Sequence, residues 1–390
     1  MSSLFALDAP TGFALAERHG TPLFAYSAAA AESSYGQLRA ALPKRARIAY
    51  AVKANPHAAL LACFDRLGAS FDCASIGELE RVHRLRIGGD RIFFAGPGKR
   101  AAELALALEM GARVQAEGLE DLVRIDELST KPVHVNLRVH PAFDTREERR
   151  ILGGNGPSAF GIDEEQLDEV LESARGLQHV RIRGLHVFAA SNQRDAAVLL
   201  ETHSSVFALA RRLCDALGEP LEQIDLGGGL GIPYRPDHKP LDVGALGRGL
   251  QALLDENTWF QGELLLEPGR FLAGPCGLYL ARVVRTKQSR GVHFAILEGG
   301  ANHLLRPHLT GEPFPVRAQR GALAIPGPTQ PYTLAGPLCT SLDRLGEVHL
   351  PELRPGDLLT FGQCGAYGFT EGMTHFLSHP VPPEIWVART

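Results

Sequence analysis

The sequence predicts an α/β chain: a (β/α)8 TIM barrel joined to a smaller all-β barrel or sandwich domain. From about residue 47 onward, eight strand-like segments alternate with helix-length stretches. After Arg270 the texture changes to short β-like runs punctuated by Gly and Pro. One strand candidate, Thr21–Tyr26, precedes the alternation and is expected to join the β module. The division expected is residues 1–35 as that joining segment, 36–270 as the barrel and 271–390 as the C-terminal β domain. A doubly wound open sheet is the alternative arrangement of the same units.

The first strand read from the pattern is Arg47–Lys53, where Ile48, Tyr50 and Val52 alternate with small alanines before Asn55 and Pro56 break the run. The others are Ser70–Cys73, Arg91–Gly96, Arg113–Glu117, Val133–Val139, Val180–Ala190, Gln223–Gly228 and Glu263–Gly269. Between them lie helix-length stretches rich in Ala, Leu, Glu and Arg, among them Ile76–Leu85, Lys99–Met110, Glu165–Ala174, Ala196–Leu217 and Val243–Asp255. Residues 140–162 depart from the alternation and read as a long, partly mobile loop at the catalytic end of strand five, with a charged cluster at Arg146–Arg150. The β module is expected to use Tyr279–Thr286, His293–Leu297, Pro331–Ala335, Gly346–Leu350, Asp357–Phe361 and Glu384–Val387.

Composition narrows the class of function. A net charge of -4 with 22% charged residues gives no electrostatic reason to expect nucleic acid or an anionic membrane as a partner. The six cysteines form no CxxC pair and no dense framework, so neither a metal site nor a disulfide scaffold is expected, and a reducing cytoplasm is the default. No apolar run approaches membrane-spanning length, and the N-terminus lacks a basic start followed by an apolar segment. The expectation is a soluble, unprocessed protein.

The chemistry is read from strand ends. Lys53 closes an apolar strand, which predicts a desolvated amine poised to form a Schiff base with a carbonyl compound; the plain alternative is a surface lysine. Gly227, Gly228 and Gly229, with Gly231 following, close strand seven, where barrel phosphate sites sit; alone, a glycine triplet is more often a tight turn. Strand eight ends in Glu267 and Arg270, the second able to offer its planar fork to the same phosphate; a Glu–Arg ion pair is the structural alternative. His186 ends the core of strand six, Asp72 ends strand two and Arg138 ends strand five; each alone reads equally as a core or structural residue. Together these polar groups at C-terminal strand ends fit one site. An aldehyde, a phosphate and a need for a carboxylate are combined in pyridoxal 5′-phosphate, with Lys53 on the aldehyde, the glycines and Arg270 on the phosphate, and Glu267 on the ring nitrogen.

Five strings carry a resemblance: Ala51–Asn55, Phe71–Ser75, Glu267–Arg270, Gly336–Cys339 with Asp343, and Gly365–Gly368. In this order they resemble the fold-type III, alanine-racemase-like pyridoxal phosphate decarboxylases, a group that includes diaminopimelate, ornithine and arginine decarboxylases. The resemblance spans essentially the whole chain. It implies Lys53 as the Schiff-base lysine, His186 against the face of the pyridine ring and Glu267 on its nitrogen. Gly228, Gly229, Arg270 and Tyr367 would bind phosphate, and Asp72 and Arg138 would support the lysine and the ring. Cys339 matches the cysteine that a second subunit inserts to protonate the carbanion, which implies a homodimer with shared sites. A free thiol is mostly protonated at neutral pH, as that role requires; the plain alternative is a small buried hydrophobe. Cys364 matches no catalytic position and reads as packing.

The departures bear on substrate. After the catalytic cysteine the basic amino-acid decarboxylases carry an acid that pairs with a distal ammonium; here Thr340 stands. Arg306, Pro307, His308, Leu309 and Thr310 keep the arginine of the family's Arg-Pro-x-Leu-Tyr and lose the tyrosine, so Arg306, Thr340 and Asp343 are the expected substrate-side residues. Phe188 and Ala189 replace the Gly-Ser that commonly follows the histidine. The stretches Leu152–Asp163 and Phe376–Pro380 look more like members that act on siderophore precursors or carrier-linked amino acids. The expected activity is therefore decarboxylation of an amino-acid centre, free or carrier-linked. A diaminopimelate-type decarboxylase, an amino-acid racemase on the same fold, a non-catalytic homologue and a Schiff-base aldolase without pyridoxal phosphate are the alternatives.

Overall fold

The structure is a computed structural model and describes residues 4–143, 156–188 and 191–388. Residues 144–155, which include the charged cluster Arg146–Arg150 and the start of the Leu152–Asp163 stretch, lie outside the described residues, as do Ala189 and Ala190. The chain divides into two compact units. One comprises Tyr35–Gly231 and Leu241–Gly269; the other comprises Met1–Ser34, Ile232–Pro240 and Arg270–Thr390. Ile232–Pro240, which sequence reading left inside the barrel span, groups with the β unit.

The first unit is a closed parallel barrel. Its strands are β1 (Ala46–Ala51), β2 (Ser70–Cys73), β3 (Ile92–Phe94), β4 (Arg113–Ala116), β5 (Val133–His140), β6 (Val180–His186), β7 (Gln223–Asp225) and β8 (Glu263–Leu266). Each pairs with the next, and β8 returns to β1 through Leu264↔Ala46 and Leu266↔Ile48, which closes the ring and rules out the open sheet. Closure leaves no sheet edge. Most strands stop short of their expected ends because the residues beyond, such as Gly227 with φ 68°, leave the extended region to form the site.

Inside the ring the packing is partly polar. Ala49, Phe93 and Leu265 form one apolar cluster, whereas Asn136 donates to Gln223 Oε1 at 2.7 Å. No residue larger than glycine fits at position 184, because a Cβ there would overlap the Asn136 amide.

The second unit is built on a nine-stranded sheet, in which Gly277–Ser289 is the longest strand. Leu23–Ser27 pairs antiparallel with it and parallel with Glu384–Val387, so the N-terminal strand does join the β module. Sequence reading missed the helix Ala9–His19, although its signals are present: Asp8 accepts from the Thr11 amide, Pro10 occupies the first turn and Gly20 ends it. It also missed Val316–Arg320, which pairs with Leu358–Phe361. Ala16 of the helix packs with Leu23, Ala25, Leu278, Leu280 and Leu358. Among the described residues, no helix is long and apolar enough to cross a membrane.

Candidate active site

Lys53 does not end a strand. It sits on the 3-10 turn Val52–Ala54 immediately after β1, and its side chain is 43% exposed, so the expectation of a desolvated amine is corrected. The reason is the turn, which carries the amine out of the apolar run into the barrel mouth. Lys53 Nζ lies 3.1 Å from Asp72 Oδ2, and Asp72, the third residue of β2, is 1% exposed. Asp72 Oδ1 is buried without a hydrogen-bond partner. Burial, and next the Glu267 charge, raise the Asp72 carboxyl above its ordinary value, while Lys53 opposes the rise. Burial likewise raises Glu78, on the helix after β2, to about 7; Asp72 adds to the rise, and the Ala74 N–H and Lys53 oppose it.

The ends of β6, β7 and β8, the last of these paired with β1, bring His186, Asp225 and Glu267 together, with one ligating atom of each within 4.8 Å of the others. All three are buried. His186 Nε2 lies 3.4 Å from Glu267 Oε2, off the line of a hydrogen bond, and neither ring nitrogen has a hydrogen-bond partner. Gln115 of β4 donates from Nε2 to Asp225 Oδ2 at 2.6 Å and to Glu267 Oε1 at 3.3 Å. Two buried carboxyls this close do not both ionise. Burial, and next the Glu267 charge, push Asp225 well above the carboxylate range. Burial would raise Glu267 too, but the His186 charge first, then Lys53 and the Asp225 hydroxyl, outweigh it and hold Glu267 at about 2. Asp225 is thus the protonated member and Glu267 the carboxylate.

The loop after β7 is shaped by close approach. A Cβ on Gly228 would lie 2.6 Å from the Glu267 carbonyl oxygen, and Gly229 has φ 85°. The Gly227 N–H donates to Asp225 Oδ1 at 2.9 Å, whereas the Gly228 and Gly229 amides donate to nothing among the described residues. Arg138 is held by Glu117, Nη1 to Oε1 at 2.9 Å, in a network with the buried Lys99. Its guanidinium lies 4.9 Å over the Phe160 ring.

In the β unit, Arg270 donates to Tyr234 Oη at 2.7 Å and stacks 4.7 Å over the ring of Tyr367. Tyr367 has φ 57°, a left-handed conformation that costs a non-glycine residue about 1–3 kcal/mol. Arg306 is buried, pairs with Glu312 at 3.0 Å and lies 3.6 Å over the Tyr234 ring. Cys339 is exposed. Asp343 is buried below it and accepts from the Ala301 and Leu338 amides, each at 2.6 Å, so its carboxylate organises the loop that presents Cys339 and Thr340. Thr340 Oγ1 accepts from the Leu342 N–H at 3.2 Å in the same loop.

Residues 29–274 match the pyridoxal-binding domain of the pyridoxal-dependent decarboxylases. This chain belongs to that family. It is 34% identical to an L-glutamyl-[BtrI acyl-carrier protein] decarboxylase of Niallia circulans, over 97% of this chain and 91% of the relative. It is 35% identical to a diaminopimelate decarboxylase of Pseudomonas aeruginosa, over 91% of this chain and 85% of the other. Among solved structures, diaminopimelate decarboxylase from Helicobacter pylori complexed with L-lysine superposes with a TM-score of 0.87 at 27% identity, covering 96% of this chain and 93% of that one. The chain is thus a pyridoxal phosphate-dependent amino-acid decarboxylase, a carboxy-lyase.

The barrel mouth fits the cofactor on its own terms. It offers a lysine amine beside a buried acid, an imidazole with both nitrogens unpartnered, an ionised carboxylate and a glycine cradle with free amides. Asp225 and Gln115 were not singled out from sequence. Asp225 had a signal, a carboxylate two residues before the glycine triplet in an otherwise apolar strand; Gln115 had none.

Proposed function

We propose that this decarboxylase acts on the amino-acid centre of a carrier-linked substrate, or of a siderophore precursor, rather than on a free diamine precursor. The observation that carries the decarboxylation chemistry is the barrel mouth, where Lys53 stands 3.1 Å from Asp72 and the Glu267 carboxylate is buried against His186. In this reading Lys53 holds the cofactor and Asp72 holds its amine. Glu267 faces the ring nitrogen, His186 the ring face, and Gly228 and Gly229 the phosphate. Arg270, Tyr367 and Arg138 keep the cofactor-binding roles assigned from sequence.

When bound, pyridoxal phosphate supplies the electron sink that takes up the pair released as the Cα–carboxylate bond breaks and CO2 leaves. An ionised Glu267 keeps the ring nitrogen protonated, which strengthens that sink. Cys339 of one protomer then gives its thiol proton to the α carbon in the site of its partner, and solvent returns a proton to the sulfur. Its exposure is what a proton donor offered to a second protomer needs.

Support for the substrate class comes from Thr340, which has no charge to form an ion pair with a distal ammonium, and from the relative that acts on a carrier-bound glutamyl group. Diaminopimelate decarboxylation is the second reading, favoured by the other relatives. The test is CO2 release from a panel of free amino acids, diaminopimelate, citryl-amine conjugates and aminoacyl carrier proteins. Turnover of diaminopimelate in preference to the carrier-linked and conjugated substrates overturns the proposal.

A further inference from the structure

Leu338, Thr340 and Ser341, from the loop that presents Cys339, help to line a trough of about 290 Å³ on the face of the β unit. Its construction follows from strand register. Arg285 opposes Ile296, Ile296 lies beside Ala335, and Ala335 opposes Arg344, so one row across four strands runs cation, apolar, apolar, cation. Four strands set the two arginine Cα atoms about 14 Å apart. In the next row Lys287 opposes Phe294. Arg285 and Lys287 are two residues apart on one strand, so they leave the same face about 7 Å from each other. Phe294, Ile296 and Leu338 contribute apolar side chains to the lining, and Thr340 and Ser341 contribute hydroxyls.

The charge is uncompensated. None of Arg285, Lys287 and Arg344 has an ion pair among the described residues, although the chain as a whole has a net charge of -4. Asp343 lines the trough, but both its oxygens are bound to backbone amides. The nearest acid in register, Glu347 opposite Thr333, is outside the lining. A surface that gathers cations beside a mixed lining of apolar side chains and hydroxyls suits a ligand with an anionic head and a long, weakly polar body.

We propose that this trough receives the phosphorylated arm of a carrier-bound substrate. Arg285 and Lys287 take the phosphodiester, Arg344 steers from the opposite bank, and the arm runs along Phe294 and Ile296 toward Thr340 and Cys339, where the amino-acid centre is delivered. The inference rests on the carrier-linked reading above and extends it to the handle by which substrate is held. Free amino acids have no such handle, so the trough sets the preference for a tethered substrate.

Direct binding tests the trough without turnover. Wild type and the Arg285→Ala/Lys287→Ala variant, both loaded with cofactor, are titrated with 4′-phosphopantetheine, pantetheine and inorganic phosphate. Wild type is expected to bind phosphopantetheine roughly tenfold more tightly than pantetheine, the gain of two charge-assisted contacts, and the variant to lose that preference. Equal binding of the two, or a preference that survives in the variant, overturns the proposal. So does inorganic phosphate competing as well as the whole arm, which would mark a simple anion site. Apo-carrier protein lacking the arm is a further probe: salt-sensitive binding that the variant loses would assign the cations to an acidic protein face instead. Sedimentation of the variant must match wild type; a changed oligomeric state would give these residues to an interface. A protein that keeps the phosphate preference yet releases no CO2 from any carrier-linked substrate would refute the carrier-linked reading and leave the trough standing.

Discussion

Replacing Asp225 by Asn asks where the proton of the buried carboxyl pair resides. Asp225 is 0% exposed and Glu267 4%, and both share the Gln115 amide nitrogen. Because burial and the Glu267 charge push Asp225 well above the carboxylate range, folding at neutral pH takes up a proton that the unfolded chain does not hold. A carboxyl raised in the folded state contributes fully below its unfolded pKa of about 3.9, and that contribution is lost as pH rises toward the folded value. Asparagine needs no proton. Its N–H can still donate to Glu267, and Gln115, whose Oε1 has no partner in the wild type, can turn its amide to accept from the new side chain. Between about pH 5 and pH 7 the wild type should therefore lose stability relative to Asp225→Asn by about 1.4 kcal/mol per pH unit, one proton's worth. For a folding unit the size of the barrel that is roughly 3–5 °C of melting temperature per pH unit. Calorimetry of both cofactor-free proteins at matched ionic strength measures it. Parallel melting curves across the interval would refute the assignment, since they would mean that Asp225 is ionised in the folded protein.

Other expectations follow from the same geometry. Lys53→Ala should leave no pyridoxyl group on the chain after borohydride treatment and peptide mapping, and should abolish CO2 release. Cys339→Ala should lower turnover by ~10²–10⁴-fold, the usual range for losing a positioned proton donor; mixing it with Lys53→Ala protomers should restore part of the activity, and no recovery would argue against shared sites. Gly228→Ala should cost about 1–3 kcal/mol and weaken cofactor retention, because its methyl group would sit 2.6 Å from the Glu267 carbonyl oxygen; unchanged melting and retention would refute the close-approach argument. Glu78, raised to about 7, ionises as pH climbs through that value and there stabilises the protonated Lys53 amine, which slows its reaction with an aldehyde. The rate of pyridoxal phosphate uptake by Glu78→Gln relative to wild type should accordingly rise across about pH 7, and a flat ratio would exclude the coupling.

The sequence by itself determined the barrel, the β module and the positions that cluster at the barrel mouth. Eight apolar runs with helices between them admit few closed packings, and Asp72, His186, the glycines and Glu267 stand at or just past strand ends, where a parallel barrel collects its functional groups. What only the tertiary structure decided depends on contacts far apart in the chain. Lys53 turned out half-exposed because one short helical turn lifts it from its strand, a local bend that alternation does not encode. Asp225 acquired its proton through burial beside the Glu267 charge, and Glu267 kept its charge through His186 and Lys53, groups brought to it from other strand ends. Likewise the row of Arg285, Ile296, Ala335 and Arg344 exists only through pairing across four strands. Periodicity reports which side of an element is buried; which charges meet there is settled by closure of the ring and register of the sheet, and neither is written in any one segment.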